Sequence, residues 1–296
     1  MYVVTLLTDP SEPCLTQQDV DALVQAWQGR EVRWLAEGEA AEFRTGIMPA
    51  DQWAVWRELQ AKRIDLAVQI NNSRRKKLLL ADMDSTMIQQ ECIDELAVEA
   101  GIGERVSDIT ARAMNGELNF EEALIERVGL LSGLPVSVID RVYKERIQFT
   151  PGGAELVATM RGNGAHAALV SGGFTAFTSR VAAALGFDTN QANSLLEENG
   201  TLTGAVGMPI LGKAAKVEAL ESLTAQLGIS AADVLAVGDG ANDLGMLGVA
   251  GMGVALHAKP SVAAQCDLRI SFGDLTALLY LQGYTKDEFI QPQSLL

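Results

Sequence analysis

The chain has 296 residues, of which 48% are hydrophobic and 21% charged, so it is long enough for two globular domains. Its 23 basic and 38 acidic residues leave a net charge of −15, which argues against nucleic acid and anionic membranes as partners. No apolar run reaches the roughly 18 residues of a membrane span. Because Cys14, Cys92 and Cys266 lack metal-ligand spacing, we expect a reducing, cytoplasmic compartment.

Residues 1–72 are predicted to form a small ferredoxin-like α+β domain, similar to ACT-like domains, because their strand and helix patterns follow the order β-α-β-β-α-β. Thr16 and Asp19 have the spacing of a capping box. Trp53, Trp56 and Leu59 recur at helical spacing. The predicted strands and helices cover strand 2–7, helix 16–28, strand 31–36, strand 40–45, helix 51–62 and strand 64–70.

Two roles stay open for residues 1–72. In the first, the segment is a structural appendage or a dimerisation domain, and dimerisation would make the protein a homodimer. In the second, the segment holds an effector site. The first is favoured because no polar constellation in this segment demands a ligand. The polar and basic stretch 71–77 is interpreted as a solvated link between domains, since a nucleic-acid patch does not suit so acidic a chain.

From residue 73 to 296, apolar strands alternate with helices, which is typical of a doubly wound, mostly parallel α/β sheet. Continuous apolar runs predict strands at 78–81, 167–170, 234–237 and 252–256. The stretch from about 92 to 148 has helical periodicity and no such run, so it predicts an inserted helical cap. Asn199-Gly200 predicts the turn of a β-hairpin.

Polar residues follow three of these predicted strands. The first strand is followed by DMDST at 82–86, the second by SGG at 171–173 and the third by GDGAND at 238–243. The carboxyl ends of parallel strands meet at one edge of a sheet, so these side chains should converge there. Crowded carboxylates need a hard cation with oxygen ligands, which points to Mg²⁺.

The motif DMDST, supported by LNF at 118–120, VSGGF at 170–174 and GDGAND, resembles the haloacid dehalogenase superfamily and, within it, the phosphoserine phosphatases. The resemblance covers about 73–285. It implies a magnesium-dependent phosphatase that converts O-phosphoserine to serine and phosphate, the last step of serine biosynthesis. Two alternatives stay open: a phosphatase or phosphotransferase of the same superfamily with another small phosphate ester, and an inactive scaffold that senses an amino acid.

The resemblance also implies the catalytic and metal-binding roles. Asp82 would be the nucleophile that forms an aspartyl-phosphate, and Asp84 the proton donor and acceptor. Asp82, the backbone carbonyl of Asp84 and Asp239 would hold Mg²⁺, and Asp243 would complete the metal set. Asn242 would support this shell beside the substrate.

For the substrate, the resemblance implies one set of residues for the phosphate and another in the cap. Ser171, Gly172 and Lys216 would bind phosphate oxygens, while Lys213 is expected to be a solvated residue at a helix start.

In the cap, Glu91 would recognise the ammonium group and Arg127 the carboxylate of phosphoserine, with Met114 and Phe120 as apolar cover. Taken singly, Glu91 would also suit a helix N-terminus and Arg127 a surface ion pair.

Overall fold

The computed structural model describes residues 1–114 and 117–292, apart from the side chain of Met114. Two main sheets and their helices confirm the mixed α/β fold class. Within the described ranges, no helix is both long and apolar enough to cross a bilayer.

The first sheet is antiparallel and belongs to the ferredoxin-like segment. Its strands and helices are β1 (Tyr2–Leu7), α1 (Gln17–Ala26), β2 (Arg30–Ala36), β3 (Ala40–Thr45), α2 (Gln52–Gln60) and β4 (Asp65–Ile70). The strand order β2-β3-β1-β4 is that of a ferredoxin-like fold, as predicted. The predicted capping box is present, since Thr16 and Asp19 exchange hydrogen bonds at the start of α1. Both helices pack on one face of the sheet through residues such as Val20, Leu23 and Leu59.

The second sheet is parallel and six-stranded. The strands that follow β4 are β5 (Leu78–Ala81), β6 (His166–Phe174), β7 (Thr189–Asn193), β8 (Leu195–Glu198), β9 (Thr201–Val206), β10 (Val234–Gly238), β11 (Met252–Leu256) and β12 (Leu268–Ile270). The order is β12-β11-β10-β5-β6-β7, with β8 and β9 in a separate hairpin. The four predicted apolar runs are the four central strands. The edge strands β7 and β12 were not predicted, because β7 is polar and largely exposed and β12 has only three residues.

Five helices of the described chain stand between β5 and β6, and the first four lie in the stretch from about 92 to 148 whose periodicity predicted a cap. The helices after α2 are α3 (Cys92–Glu99), α4 (Gly103–Met114), α5 (Phe120–Gly129), α6 (Ser137–Glu145), α7 (Gly153–Gly162), α8 (Thr175–Leu185), α9 (Lys213–Leu227), α10 (Leu244–Val249), α11 (Pro260–Ala263) and α12 (Ala277–Leu281).

The predicted hairpin forms with Asn199 and Gly200 at positive φ. Leu202 of β9 exchanges backbone hydrogen bonds with Gly133 and Leu134, which ties the hairpin to the cap.

The two sheets share one apolar core. Leu7 and Ala67 of the first sheet lie in the same cluster as Leu278 and Leu281 of α12. The stretch 71–77 differs here from the predicted solvated link. Arg74 is largely buried, because its guanidinium donates to Glu42 and to backbone carbonyl groups of residues 280 and 281. Glu42, the acidic partner of Arg74, is distant in the sequence, so a local run of basic residues could not predict this pair.

Candidate active site

The strand register brings the polar ends of β5, β6 and β10 to one level. Leu169 of β6 and Val237 of β10 both lie opposite Ala81 of β5. Asp82 and Asp239, which directly follow β5 and β10, therefore lie beside Ser171, near the end of β6, at the carboxyl edge of the sheet.

The chain reverses directly after Asp82, in the segment Met83–Met87. Ser85 adopts a left-handed φ of 54°, and its hydroxyl donates to Glu91 at 2.6 Å. Asp84 accepts a hydrogen bond from the backbone N–H of Cys92 at 2.8 Å. This reversal sets Asp84 and Glu91 next to each other, between the sheet edge and the first cap helix.

Lys216 lies beneath the site and is 2% exposed. Its ammonium bridges Asp82 at 2.6 Å and Asp243 at 2.5 Å. Burial lowers the pKa of Lys216, but the two carboxylates outweigh burial, so the net pKa is raised and the ammonium keeps its charge. Asp243 also accepts the backbone N–H groups of Asp239 and Gly240, at 3.2 and 3.0 Å.

Asp82, Asp239 and Asp243 form a buried group whose carboxylate oxygens lie within 4.8 Å of one another. Burial and the charge of Asp243 raise the pKa of Asp239 to about 7, against a hydrogen bond from Thr86 at 3.0 Å. Burial and Asp243 likewise raise the pKa of Asp82, against the charge of Lys216. Three carboxylates around one ammonium, with oxygen as the donor atom, fit a hard divalent cation. The carboxylate of Asp84 is not part of this group; it accepts hydrogen bonds from Cys92 and Ser171.

The end of β6, at residues 171–173, brings backbone close to the site. Ser171 is buried, donates to Asp84 at 3.1 Å and accepts from the N–H of Gly173 at 2.8 Å. A Cβ atom at Gly172 would lie 2.7 Å from the Phe120 ring, and one at Gly173 would lie 2.5 Å from the carboxylate of Asp84. A side chain at either position would therefore displace Phe120 or Asp84, while the N–H of Gly173 is used to hold Ser171.

Glu91 and Arg127 place a carboxyl group and a guanidinium on the cap side of the cavity. Burial, with the charges of Asp84 and Asp239, raises the pKa of Glu91 to about 8. Arg127 is 6% exposed and donates to the carbonyl of Ala123, so a surface ion pair, one of the two interpretations left open, is wrong for it. Burial lowers the pKa of Arg127, although Glu91 and other nearby carboxylates oppose that shift.

Most of the predicted site residues line one cavity of about 660 Å³ between the sheet edge and the cap. These are Asp82, Asp84, Glu91, Phe120, Arg127, Ser171, Gly172, Asp239 and Asn242. Lys216 and Asp243 lie under its floor, against Asp82. The side chain of Met114 is outside the described part of the chain. Lys213, expected only as a solvated residue, is exposed at the start of α9 and also lines the cavity.

Two further residues that shape the site were not predicted. Thr86 holds Asp239, and its place in DMDST was an available signal. Asn193, at the end of the edge strand β7, donates to the carbonyl of Gly172 at 2.8 Å and accepts from the N–H of Leu211 at 2.7 Å. No motif marks Asn193, because its partners are 18 and 21 residues away.

Comparison with known proteins gives a consistent family. The model of the haloacid dehalogenase-like hydrolases matches residues 79–248. A phosphoserine phosphatase from Archaeoglobus fulgidus is 43% identical over 246 residues, which is 82% of this chain and 69% of that protein.

Solved structures agree with that family. A HAD-family hydrolase from Salmonella enterica serovar Typhi has a TM-score of 0.82 at 29% identity, over 97% of this chain and 99% of the other. A phospho-aspartyl intermediate analogue of phosphoserine phosphatase has a TM-score of 0.67 at 42% identity, over 70% of this chain and 98% of the other.

Proposed function

Because the chain belongs to the haloacid dehalogenase-like hydrolases and, within them, to the phosphoserine phosphatases, we propose that it hydrolyses O-phosphoserine to serine and phosphate, the last step of serine biosynthesis, with Mg²⁺ as its cation. One observation carries the proposal. Asp82 opens into a cavity whose cap side includes the guanidinium of Arg127 and the carboxyl group of Glu91. These two groups match the carboxylate and the ammonium that distinguish phosphoserine from simpler phosphate esters.

Asp82 is the proposed nucleophile. A bond forms between its carboxylate oxygen and phosphorus while the bond from phosphorus to the serine oxygen breaks, and Asp84 gives its proton to that oxygen. Water then attacks phosphorus, Asp84 takes the proton, and Asp82 is released. Burial raises the pKa of Asp84, which supports its part as a proton donor. A relative captured as a phospho-aspartyl analogue supports the covalent step.

Asp82, the backbone carbonyl of Asp84, Asp239 and Asp243 are the residues that would hold Mg²⁺. Bound there, the cation supplies the positive charge that offsets repulsion between the carboxylate nucleophile and the phosphate. Lys216 keeps Asp82 and Asp243 in place with a fixed charge from below. Ser171, Gly172 and Asn242 are placed to contact phosphate oxygens from the cavity wall.

The remaining proposals concern selectivity and organisation. Phe120, packed on Gly172, covers the substrate and excludes water. The same role for Met114 stays a prediction from the sequence. Residues 1–72 form one domain, and residues 73–296 form the phosphatase with its cap at about 92–148. Cys14, Cys92 and Cys266 are free thiols, which is the state that the reducing cytoplasm maintains, so we place the protein there. A homodimer formed through residues 1–72 stays a prediction.

The test is phosphate release from O-phospho-L-serine with Mg²⁺. We expect rapid release that EDTA and Asp82→Asn both abolish, while Asp21→Asn, an exposed aspartate in α1, leaves it unchanged. Magnesium-dependent release from another ester alone would keep the nucleophile and discard the roles of Glu91 and Arg127. Absence of release from any ester would overturn the proposal.

A further inference from the structure

Arg127 is held by a chain of hydrogen bonds that crosses three cap helices. Its Nη1 donates to the hydroxyl of Thr110 on α4 at 2.9 Å, and its Nε donates to the carbonyl of Ala123 at 3.1 Å. The Thr110 hydroxyl donates in turn to Asp94 on α3 at 2.6 Å. Thr110 is 2% exposed, so water does not replace either partner.

The direction of these bonds is fixed by the chemistry of the hydroxyl group. A threonine hydroxyl has one proton to donate and lone pairs to accept with. Because Asp94 takes the proton, only lone pairs face Arg127, and they meet the N–H of its Nη1. Asp94 therefore holds the hydroxyl in the orientation that the guanidinium needs.

We propose that Thr110 and Asp94 are positioning residues that aim Arg127 at the carboxylate of the substrate. This inference rests on the proposed function, in which Arg127 takes the carboxylate of phosphoserine. Of the five N–H groups of a guanidinium, Nε and Nη1 each use one within the described chain, which leaves three for a ligand. Two of these three N–H groups are on Nη2, and charge-assisted hydrogen bonds from them suit a carboxylate.

The positioning matters because an arginine side chain has several rotatable bonds. A guanidinium that is already held loses little freedom when the substrate binds, so each bond to the carboxylate gains more affinity. Thr110 and Asp94 do not contact the reacting phosphate. Their loss should therefore weaken substrate binding and leave the chemical step unchanged.

The decisive variant is Thr110→Val, which keeps the shape of the side chain and removes the hydroxyl. We expect KM for O-phosphoserine to rise about tenfold, the size expected for a hydrogen bond to a charged group, with kcat little changed. Thr110→Ser should restore the wild-type KM. With p-nitrophenyl phosphate, which has no carboxylate, KM should be the same in all three proteins.

Two further variants complete the test. Asp94→Asn keeps an acceptor oxygen without charge, so KM for O-phosphoserine should rise by a smaller factor, about threefold. Ser107→Ala removes the other hydroxyl donor of Asp94, at 3.2 Å, without touching Arg127, and serves as the matched control with an unchanged KM. Thr110→Ala replaces Thr110→Val if the valine variant does not fold, as judged by circular dichroism.

The outcomes separate this inference from the proposed function. An unchanged KM in Thr110→Val, or an equal rise with both substrates, would overturn the positioning role while the wild type still hydrolyses O-phosphoserine. If the wild type itself does not hydrolyse O-phosphoserine, the proposed function and this inference fall together.

Discussion

Asp239 at the active site and Asp65 at the junction of the two sheets are equally buried, with exposed fractions of 4% and 0%. Asp65 accepts three backbone N–H groups, from residues 271–273, at 2.9 to 3.0 Å. Asp239 accepts the hydroxyl of Thr86 and shares its surroundings with two other carboxylates. Backbone donors satisfy the carboxylate of Asp65, which fits a structural role, whereas the carboxylate of Asp239 has a single hydroxyl donor, which fits the proposed cation site.

The charges around the two sites differ in the same way. At the junction, Glu39 pairs with Lys286 at 2.5 Å and accepts from the hydroxyl of Tyr280, and Glu42 pairs with Arg33 and Arg74. At the active site, three carboxylates share the single ammonium of Lys216, which pairs directly with Asp82 and Asp243. Junction acids have a cation or hydroxyl partner within the chain, whereas the excess of carboxylates at the active site supports the cation proposed there.

The largest effect should follow from Asp239→Asn. Loss of a cation ligand should reduce phosphate release at least about a hundredfold. The same change removes a repelling charge, so the melting temperature in EDTA should not fall. A lower melting temperature with unchanged turnover would show that Asp239 has a structural role like that of the junction acids. Asp21→Asn is the control for both measurements.

Asp65→Ala should have the opposite profile. Three backbone N–H groups lose their acceptor, so the free energy of unfolding should fall by about 3 kcal/mol, measured by urea denaturation. The kcat of the folded protein should be retained. Asp65→Asn keeps one acceptor oxygen and should lose less; equal stability in Asp65→Ala and the wild type would refute the structural role.

Tyr280→Phe tests a single junction bond. Its hydroxyl donates to the buried Glu39 at 2.5 Å, so its removal should lower the free energy of unfolding by about 1.5 kcal/mol. Lys286→Ala removes the other partner of Glu39, but 58% of the lysine side chain is exposed. We expect less than about 1 kcal/mol for the lysine variant. The reverse ranking in urea melts would contradict this account.

The smallest expected effect is a pH dependence of KM that arises from Glu91. This residue is an active-site acid, but it lies outside the group proposed to hold the cation. With a pKa of about 8, Glu91 is largely protonated below that pH and carries its charge above it. Only the carboxylate pairs with an ammonium, so KM for O-phosphoserine should fall a few-fold as the pH rises toward about 8. Glu91→Gln should lose this dependence, and p-nitrophenyl phosphate should not show it; a flat profile in the wild type would count against the role.

The parts of the fold and site that the sequence predicts are those encoded in short stretches. The apolar strands, the Asn199-Gly200 turn and the Thr16 capping box all involve neighbours in the chain, and the structure confirms them. The convergence of Asp82 with Asp239 was predictable as well, because parallel strands impose it.

The parts that were missed depend on partners far away in the sequence. Asp65 lies 206 or more residues from its donors, and the bond from Arg74 to Glu42 spans 32 residues. No sequence motif marks Arg74 or Glu42 as a pair, so the local run of basic residues alone predicts that Arg74 lies in a solvated link. Thr110 is likewise an ordinary helical residue until the cap helices bring Arg127 beside it.

The apolar core shared by the two sheets also has a consequence for synthesis on the ribosome. The first sheet is complete once β4 has been made, but one face of β1 packs against α12, more than 200 residues later. Leu7 and Ala67 therefore stay uncovered until α12 has been translated. The first sheet can bury this face only after α12 has been made, so chaperones would meet the exposed face while the residues between β4 and α12 are added.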